Sequence, residues 1–145
     1  MRIGMFAAVT VLTLVPAFAA DGARLDIKPG LWETAVTVKS NGKVQSFTNK
    51  SCVTSEAPDR AFINHDKNCT RTVIFSTTRK EEVNMQCTVG DVVTNGTIEI
   101  DVIDSEHIKA SSHVIASGGL SMSVNSDFDG HFLNANCGHT RAGTY

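Results

Sequence analysis

Cys69-Thr70-Arg71-Thr72-Val73-Ile74-Phe75-Ser76 and Glu81-Glu82-Val83-Asn84-Met85-Gln86-Cys87-Thr88 are two β-rich runs separated by the polar stretch Thr77-Thr78-Arg79-Lys80. Side chains on a strand alternate between its two faces, so the register of this hairpin decides which residues share a side. A turn centred on Thr78 sets Cys69 opposite Cys87, Arg71 opposite Met85, Val73 opposite Val83 and Phe75 opposite Glu81. One face then carries Val73, Phe75, Val83, Met85 and both sulfurs. The other carries Thr70, Thr72, Asn84 and Gln86. A slip of one residue would put a single cysteine on the wrong face, which selects Cys69 to Cys87 and leaves Cys52 to Cys137 among the three connectivities that four cysteines allow.

The two bridges have different reach. In the chain-entropy view, the hairpin bridge stabilises by about 3 kcal/mol and the long-range bridge, which ties an early strand to the C-terminal tail, by about 4–5 kcal/mol. Structural zinc is a poor alternative use of these thiols, because the sequence has no C-x-x-C pair.

Working outward, the same alternation recurs. Trp32 to Val38 sets Trp32, Val36 and Val38 against Glu33, Ala35 and Thr37, and Asn41-Gly42 is a type I′ turn signal that returns the chain along Val44 to Val53. The pattern breaks at Thr54-Ser55-Glu56-Ala57-Pro58-Asp59-Arg60-Ala61-Phe62, where a Thr or Ser cap, early acids and Pro58 predict one short helix. Val92 to Ile103, Glu106 to Ala116 and Leu120 to Phe132 complete the series, with turns at Asp104-Ser105 and Ser117-Gly118-Gly119. Turns centred on Ser105 and Gly118 collect Ile100, Ile108, Val114, Leu120, Met122, Val124 and Phe128 on one face. The opposite face gathers His107, Lys109, Ser111, His113, Ser121, Ser123, Asn125, Asp127 and Asp129. One side of such a sheet is buried and the other wet. The expectation is an all-β domain: an antiparallel meander of about seven strands, curled into a barrel-like or sandwich form, with one short helix after the second strand.

The N-terminus reads as a leader. Arg2 precedes an apolar, uncharged run from Ile3 to Val15, and Ala17-Phe18-Ala19 places small residues where a signal peptidase needs them. Residues 1–19 are therefore expected to be a signal peptide, with a single β-rich domain over 20–145. The apolar run falls short of the roughly 20 residues that span a bilayer, so no transmembrane anchor is expected. Export places the cysteines in an oxidising compartment, where disulfides are the default. The formal net charge of the whole chain is −2, which offers no electrostatic footprint for nucleic acid or anionic lipid.

Catalytic constellations are sparse. The chain has five histidines. His131 and His139 flank Cys137, but a thiol committed to a disulfide cannot ligate metal. His107 is expected to face Asp129 on the wet side, an exposed pair of small energetic weight. Ser111, Ser112, Ser121 and Ser123 lie in the neighbourhood of His113 without a buried acid to complete a relay, and no G-x-S-x-G elbow, P-loop or dinucleotide fingerprint occurs. Glu81-Glu82 and Glu99 with Asp101 read as solvated strand faces. Asn49-Lys50-Ser51, Asn68-Cys69-Thr70 and Asn95-Gly96-Thr97 fit the glycosylation acceptor pattern, which has meaning only in a eukaryotic secretory route.

The stretch Pro29-Gly30-Leu31-Trp32-Glu33 soon after the leader, the Cys52-Val53-Thr54 segment and the Cys137-Gly138 pair near the C-terminus together resemble a family of exported bacterial proteins catalogued only as a domain of unknown function. The resemblance spans nearly all of residues 20–145. It implies Gram-negative export to the periplasm and a β-rich fold, and no activity or cofactor. Pro29-Gly30 explains itself as a turn, and Trp32 as the largest apolar group of a core poor in aromatics. The functional reading makes Trp32 the floor of a ligand cavity, lined also by Phe47 and Ile100. The expected function is a non-catalytic binding or interaction module for a small apolar ligand or an envelope protein. A metal-handling protein or hydrolase using the surface histidines is the alternative.

Overall fold

The computed structural model describes residues 23–63, 66–119 and 121–140. The leader and its cleavage site, His65, Leu120 and the tail beyond residue 140 lie outside the described residues. Seven strands form one antiparallel sheet: β1 (Gly30–Ser40), β2 (Lys43–Val53), β3 (Cys69–Ser76), β4 (Lys80–Val89), β5 (Val92–Asp104), β6 (His107–Ser117) and β7 (Met122–Asn134). Their order across the sheet is β2-β1-β7-β6-β5-β4-β3. The sheet does not close into a barrel, and β2 and β3 are its edges.

Strands β3 to β7 form the expected meander. The N-terminal hairpin joins it from the far side, because β1 pairs with β7 over Leu31 to Ser40. Asn41 and Gly42 both adopt positive φ, 51° and 74°, as a type I′ turn requires. At Gly30 the backbone takes φ +138°, and a Cβ there would lie 2.3 Å from the Asn134 carbonyl oxygen. Only glycine lets the first and last strands approach so closely.

The β3–β4 register follows the two sulfurs. Cys69 faces Cys87, Arg71 faces Met85 and Val73 faces Val83. Beyond Val73 the expectation fails by one residue: Ile74 is an extra, bulged residue, so Phe75 faces Glu82 and Ser76 faces Glu81. The β5–β6 pairing matches the turn centred on Ser105, with Ile100 opposite Ala110 and Val102 opposite Ile108. Between β6 and β7 the register differs by two residues from a turn centred on Gly118: Val114 faces Val124 and His107 faces His131. A shift of two preserves the faces, so the division into an apolar and a wet side stands.

Because β2 and β3 lie at opposite edges, six inter-strand steps of about 4.8 Å separate them. They also lie at opposite ends of the sheet, since β2 finishes at Val53 beside Gly30 and β3 starts at Cys69 beside Cys87. The connection between them has to cross the apolar face diagonally. Its expected helix is a single 3-10 turn, Pro58–Ala61, entered from Ala57 without a side-chain cap; the Thr or Ser cap is not formed. Ala61 and Ile63 of this connection are buried with Leu25, Trp32, Val53, Val83, Ile100, Val102 and Ile108 in one cluster. Trp32 is fully buried, with the rings of Phe62 and Phe132 edge-on at 5.8 and 6.2 Å. Its indole N–H donates to the Lys28 carbonyl at 2.8 Å. The segment before β1 closes the near end of this core, through Asp26 N–H to the Thr78 carbonyl and Lys28 N–H to the Ser105 carbonyl, both 2.8 Å.

Both expected disulfides are present, Cys69–Cys87 and Cys52–Cys137, with sequence separations of 18 and 85. The first joins an edge strand to its neighbour. The second ties the end of β2 to the tail beyond β7.

Candidate functional site

The apolar face divides into two halves. The near half, where β1 begins, is filled by the core cluster, and Trp32 and Ile100 belong to it, both with no exposed surface. Phe47 shares their face, as the partner of Val36, yet it stands on edge strand β2 with 54 % of its surface exposed. The three residues expected to line one cavity are thus divided: two sit within the packed core and one on its open flank.

The far half of the same face extends beyond that cluster. Val38, Val114, Met122, Val124 and Phe128 project here, half-buried, and Phe47 adjoins them. The register places them together, since Val114 faces Val124, Phe128 faces Val36 and Met122 faces Ala116. Ser112, half-buried, faces the buried Ser126, and Ser40 opposite Val124 and Gln45 opposite Val38 add further polar groups to this half.

On the β3 side, the crossing connection and the sheet leave a cleft of about 310 Å³, lined by Leu25, Pro58, Asp59, Arg71, Val73 and Glu81 among others. Arg71 forms ion pairs here with Asp59, at 2.9 Å, and with Glu81. Glu81 is buried, and this desolvation pushes its pKa up. The negative charge of Asp59 adds to the rise, and the Arg71 guanidinium offsets part of it. The sequence pattern reads Glu81 as a solvated strand acid, whereas the fold buries it. The signal that finds it is its place on the sulfur-bearing face, shared with Arg71. Neither histidine nor cysteine lines the cleft among the described residues, and its serine, Ser76, donates to the Ala23 carbonyl. The triad acts as a clamp between the crossing connection and the sheet.

The wet face holds the other candidates. His107 Nε2 lies 2.8 Å from Asp129 Oδ1, diagonally across the strands, since the residue directly opposite His107 is His131. His131 Nε2 lies 3.6 Å from Glu33 Oε1. His113 Nδ1 is 2.7 Å from Asn125 Oδ1, so its ring bonds an amide and not a serine. His139 lies in the tail, and the Cys137 beside it is committed to its disulfide. Among the described residues, no three His, Cys, Asp or Glu side chains form a group that could hold a metal ion. No helix among them is long and apolar enough to cross a membrane.

No curated protein and no solved structure matches the chain. A family model does, over residues 27–137, from the strand-leading segment before Gly30 to the last cysteine. That span contains all seven strands, both disulfides and the Pro-Gly-Leu-Trp opening of β1. The chain therefore belongs to the family described as protein of unknown function, DUF3617.

Proposed function

We propose that this protein is exported to the periplasm and acts there as a non-catalytic binding module that takes a small apolar ligand against the far half of its apolar face. One observation carries the reading: Val38, Val114, Met122, Val124 and Phe128 lie half-buried outside the core cluster on the face that bears it, with Phe47 exposed at their flank. Size favours a small ligand over a protein partner. Three inter-strand steps across β2-β1-β7-β6 and the length of strand from Met122 to Phe128 outline roughly 14 by 20 Å. That is about 280 Å², well below the roughly 800 Å² per partner of a stable protein interface. It suits an acyl chain or a compact hydrophobe. Ser112 can orient a polar headgroup through a hydroxyl hydrogen bond.

Native mass spectrometry of the exported protein tests this, combined with titration of a fluorescent fatty acid. A co-purifying lipid and saturable binding are expected, with Val124→Lys abolishing both while the thermal melt stays cooperative. Absence of any retained lipid, with equal probe binding by wild type and Val124→Lys, overturns the reading. The same spectra report export: a mature chain beginning at Ala20 is the expected product.

A further inference from the structure

Charge is spread unevenly over the apolar face. Directly opposed residues of an antiparallel pair share a face. Followed from β2 across to β3, the register puts Lys43, Arg71 and Glu81 on the apolar face and every other charged residue of the seven strands on the wet one. Arg71 and Glu81 pair with each other. Lys43 faces Ser40, Ser40 faces Val124 and Val124 faces Val114, so the lysine ends the outermost row of the half-buried patch. It has no ion-pair partner among the described residues. The same side chain lines a hollow of about 420 Å³ around the β1–β2 turn, together with Lys39, Ser40, Ser123 and Asn125, and no acidic residue lines it. Asp127 holds Lys39 at 2.9 Å, and the Ser40 hydroxyl donates to the Ser123 carbonyl at 3.2 Å. Lys43 is thus the uncommitted cation of this end.

On the reading of the far half as a ligand site, on which this inference rests, we propose that the ligand is a single-chain anionic amphiphile, a long-chain carboxylate or alkyl phosphate, with its head at Lys43 and its tail directed along β1 and β7 toward Phe128. Polarity sets the direction. Beyond Phe128 the patch meets the packed core around Trp32, Ile100 and Ile108, where a charge would lose its water and find no partner. At the Lys43 end an anion keeps part of its hydration and gains a cation and the donors of the hollow. Four residue steps, from Ser40 to Val36 on β1 and from Val124 to Phe128 on β7, cover about 14 Å of extended strand. That length accommodates a medium-length acyl chain. Ser112 stands mid-face and can bond a neutral polar group of the ligand, whereas an ionised head is drawn to Lys43. The formal net charge of the chain is −2, so this attraction is local to one end of the sheet and falls off with salt.

Isothermal titration of the untagged, full exported chain with dodecanoate, dodecyl phosphate and the uncharged 1-dodecanol, each below its micelle concentration, tests the assignment. All three are expected to bind, the anions about three- to ten-fold more tightly than the alcohol at low salt, with the gap closing as salt is added. Whichever anion binds the tighter identifies the head that the site takes. Lys43→Gln should weaken both anions to the level of the alcohol and leave the alcohol unchanged. Lys109→Gln, on the wet face, should alter none of the three. Anions and alcohol bound equally by the wild type, or the same loss of anion binding in Lys109→Gln as in Lys43→Gln, overturns the anionic assignment and leaves the apolar site standing. Failure of all three probes to bind overturns both. Lys43 is exposed, and an unchanged thermal melt of Lys43→Gln separates loss of the head contact from loss of the fold.

Discussion

Asp59, on the connection that crosses the sheet, and Arg71, on edge strand β3, are joined by an ion pair of 2.9 Å, and the same guanidinium pairs with Glu81 of β4. A single cation thereby pins the crossing connection to the sheet and neutralises two acids, one of them buried. Removing the cation leaves both acids facing each other. Arg71→Met is expected to lower stability at pH 7 by about 2–3 kcal/mol, the lower end for broken buried pairs because Arg71 retains some exposure. Urea unfolding at pH 7 and pH 5 checks this, and the loss should shrink at the lower pH as Glu81 takes up a proton.

Glu81 itself gives a pH prediction with a definite sign. Its folded pKa is raised, chiefly by burial, so the fold favours the protonated carboxyl. The stability linked to this group is fully present below the ordinary glutamate range, and it is lost as the pH rises through the higher folded value. Glu81→Gln should therefore be more stable than wild type at pH 7, with the two converging near pH 4. Asp59 continues to hold Arg71 in the variant. Thermal melts across that range would contradict the assignment if Glu81→Gln were the less stable at neutral pH.

Gly30→Ala is expected to be among the most damaging single-methyl additions in the chain. A Cβ would meet the Asn134 carbonyl oxygen at 2.3 Å and would have to adopt φ +138°. Backbone strain of this type costs about 1–3 kcal/mol before the clash is counted. The β1–β7 pairing should loosen first, visible as faster amide exchange at Leu31 and Phe132 than at Val83 or Ile98.

Much of this architecture was legible in the sequence, and the exceptions have physical reasons. The register at Cys69 and Cys87 could be read because two sulfurs must share a face. The bulge at Ile74 could not, because Val73-Ile74-Phe75 is apolar throughout and offers no period-two cue to mark the extra residue. Turn centring fixed β5–β6 but missed β6–β7 by two residues, an error that period-two patterning cannot detect. The β1–β7 pairing joins residues about a hundred positions apart and leaves no local trace. Trp32 and Ile100 were legible as large buried groups; that they fill the core and stand apart from Phe47 depended on the path of the crossing connection. His107 with Asp129 was foreseen as a pair, whereas the opposed His131 emerged only from the true register.

The two edges of the sheet differ in protection. β2 carries Lys43 and Lys50, while Thr72 to Ser76 of β3 has no charge and exposes Val73, Ile74 and Phe75 at 40, 53 and 49 %. An uncharged apolar edge invites strand addition, and the bulge at Ile74 is the feature that opposes it. Ile74→Lys is expected to reduce concentration-dependent association in light scattering while leaving the thermal midpoint within a few degrees of wild type.

Removal of the disulfides should rank by span. Cys69→Ser/Cys87→Ser is expected to cost about 3 kcal/mol and Cys52→Ser/Cys137→Ser about 4–5 kcal/mol in denaturant unfolding. An equal or reversed ranking would show that the long bridge works against native strain.

The placement of β1 between β2 and β7 also orders the birth of the fold in time. As the chain is made, β1 and β2 can pair at once, but the inner edge of β1 has no strand to pair with until β7 has followed it. The meander from β3 to β7 can zip through neighbouring hairpins, whereas closing β1 onto β7 has to wait for nearly the whole sequence and for the connection to be laid across it. High contact order of this kind slows folding and lengthens exposure of the nascent hairpin. The last strand made is thus the one that completes the burial of the first.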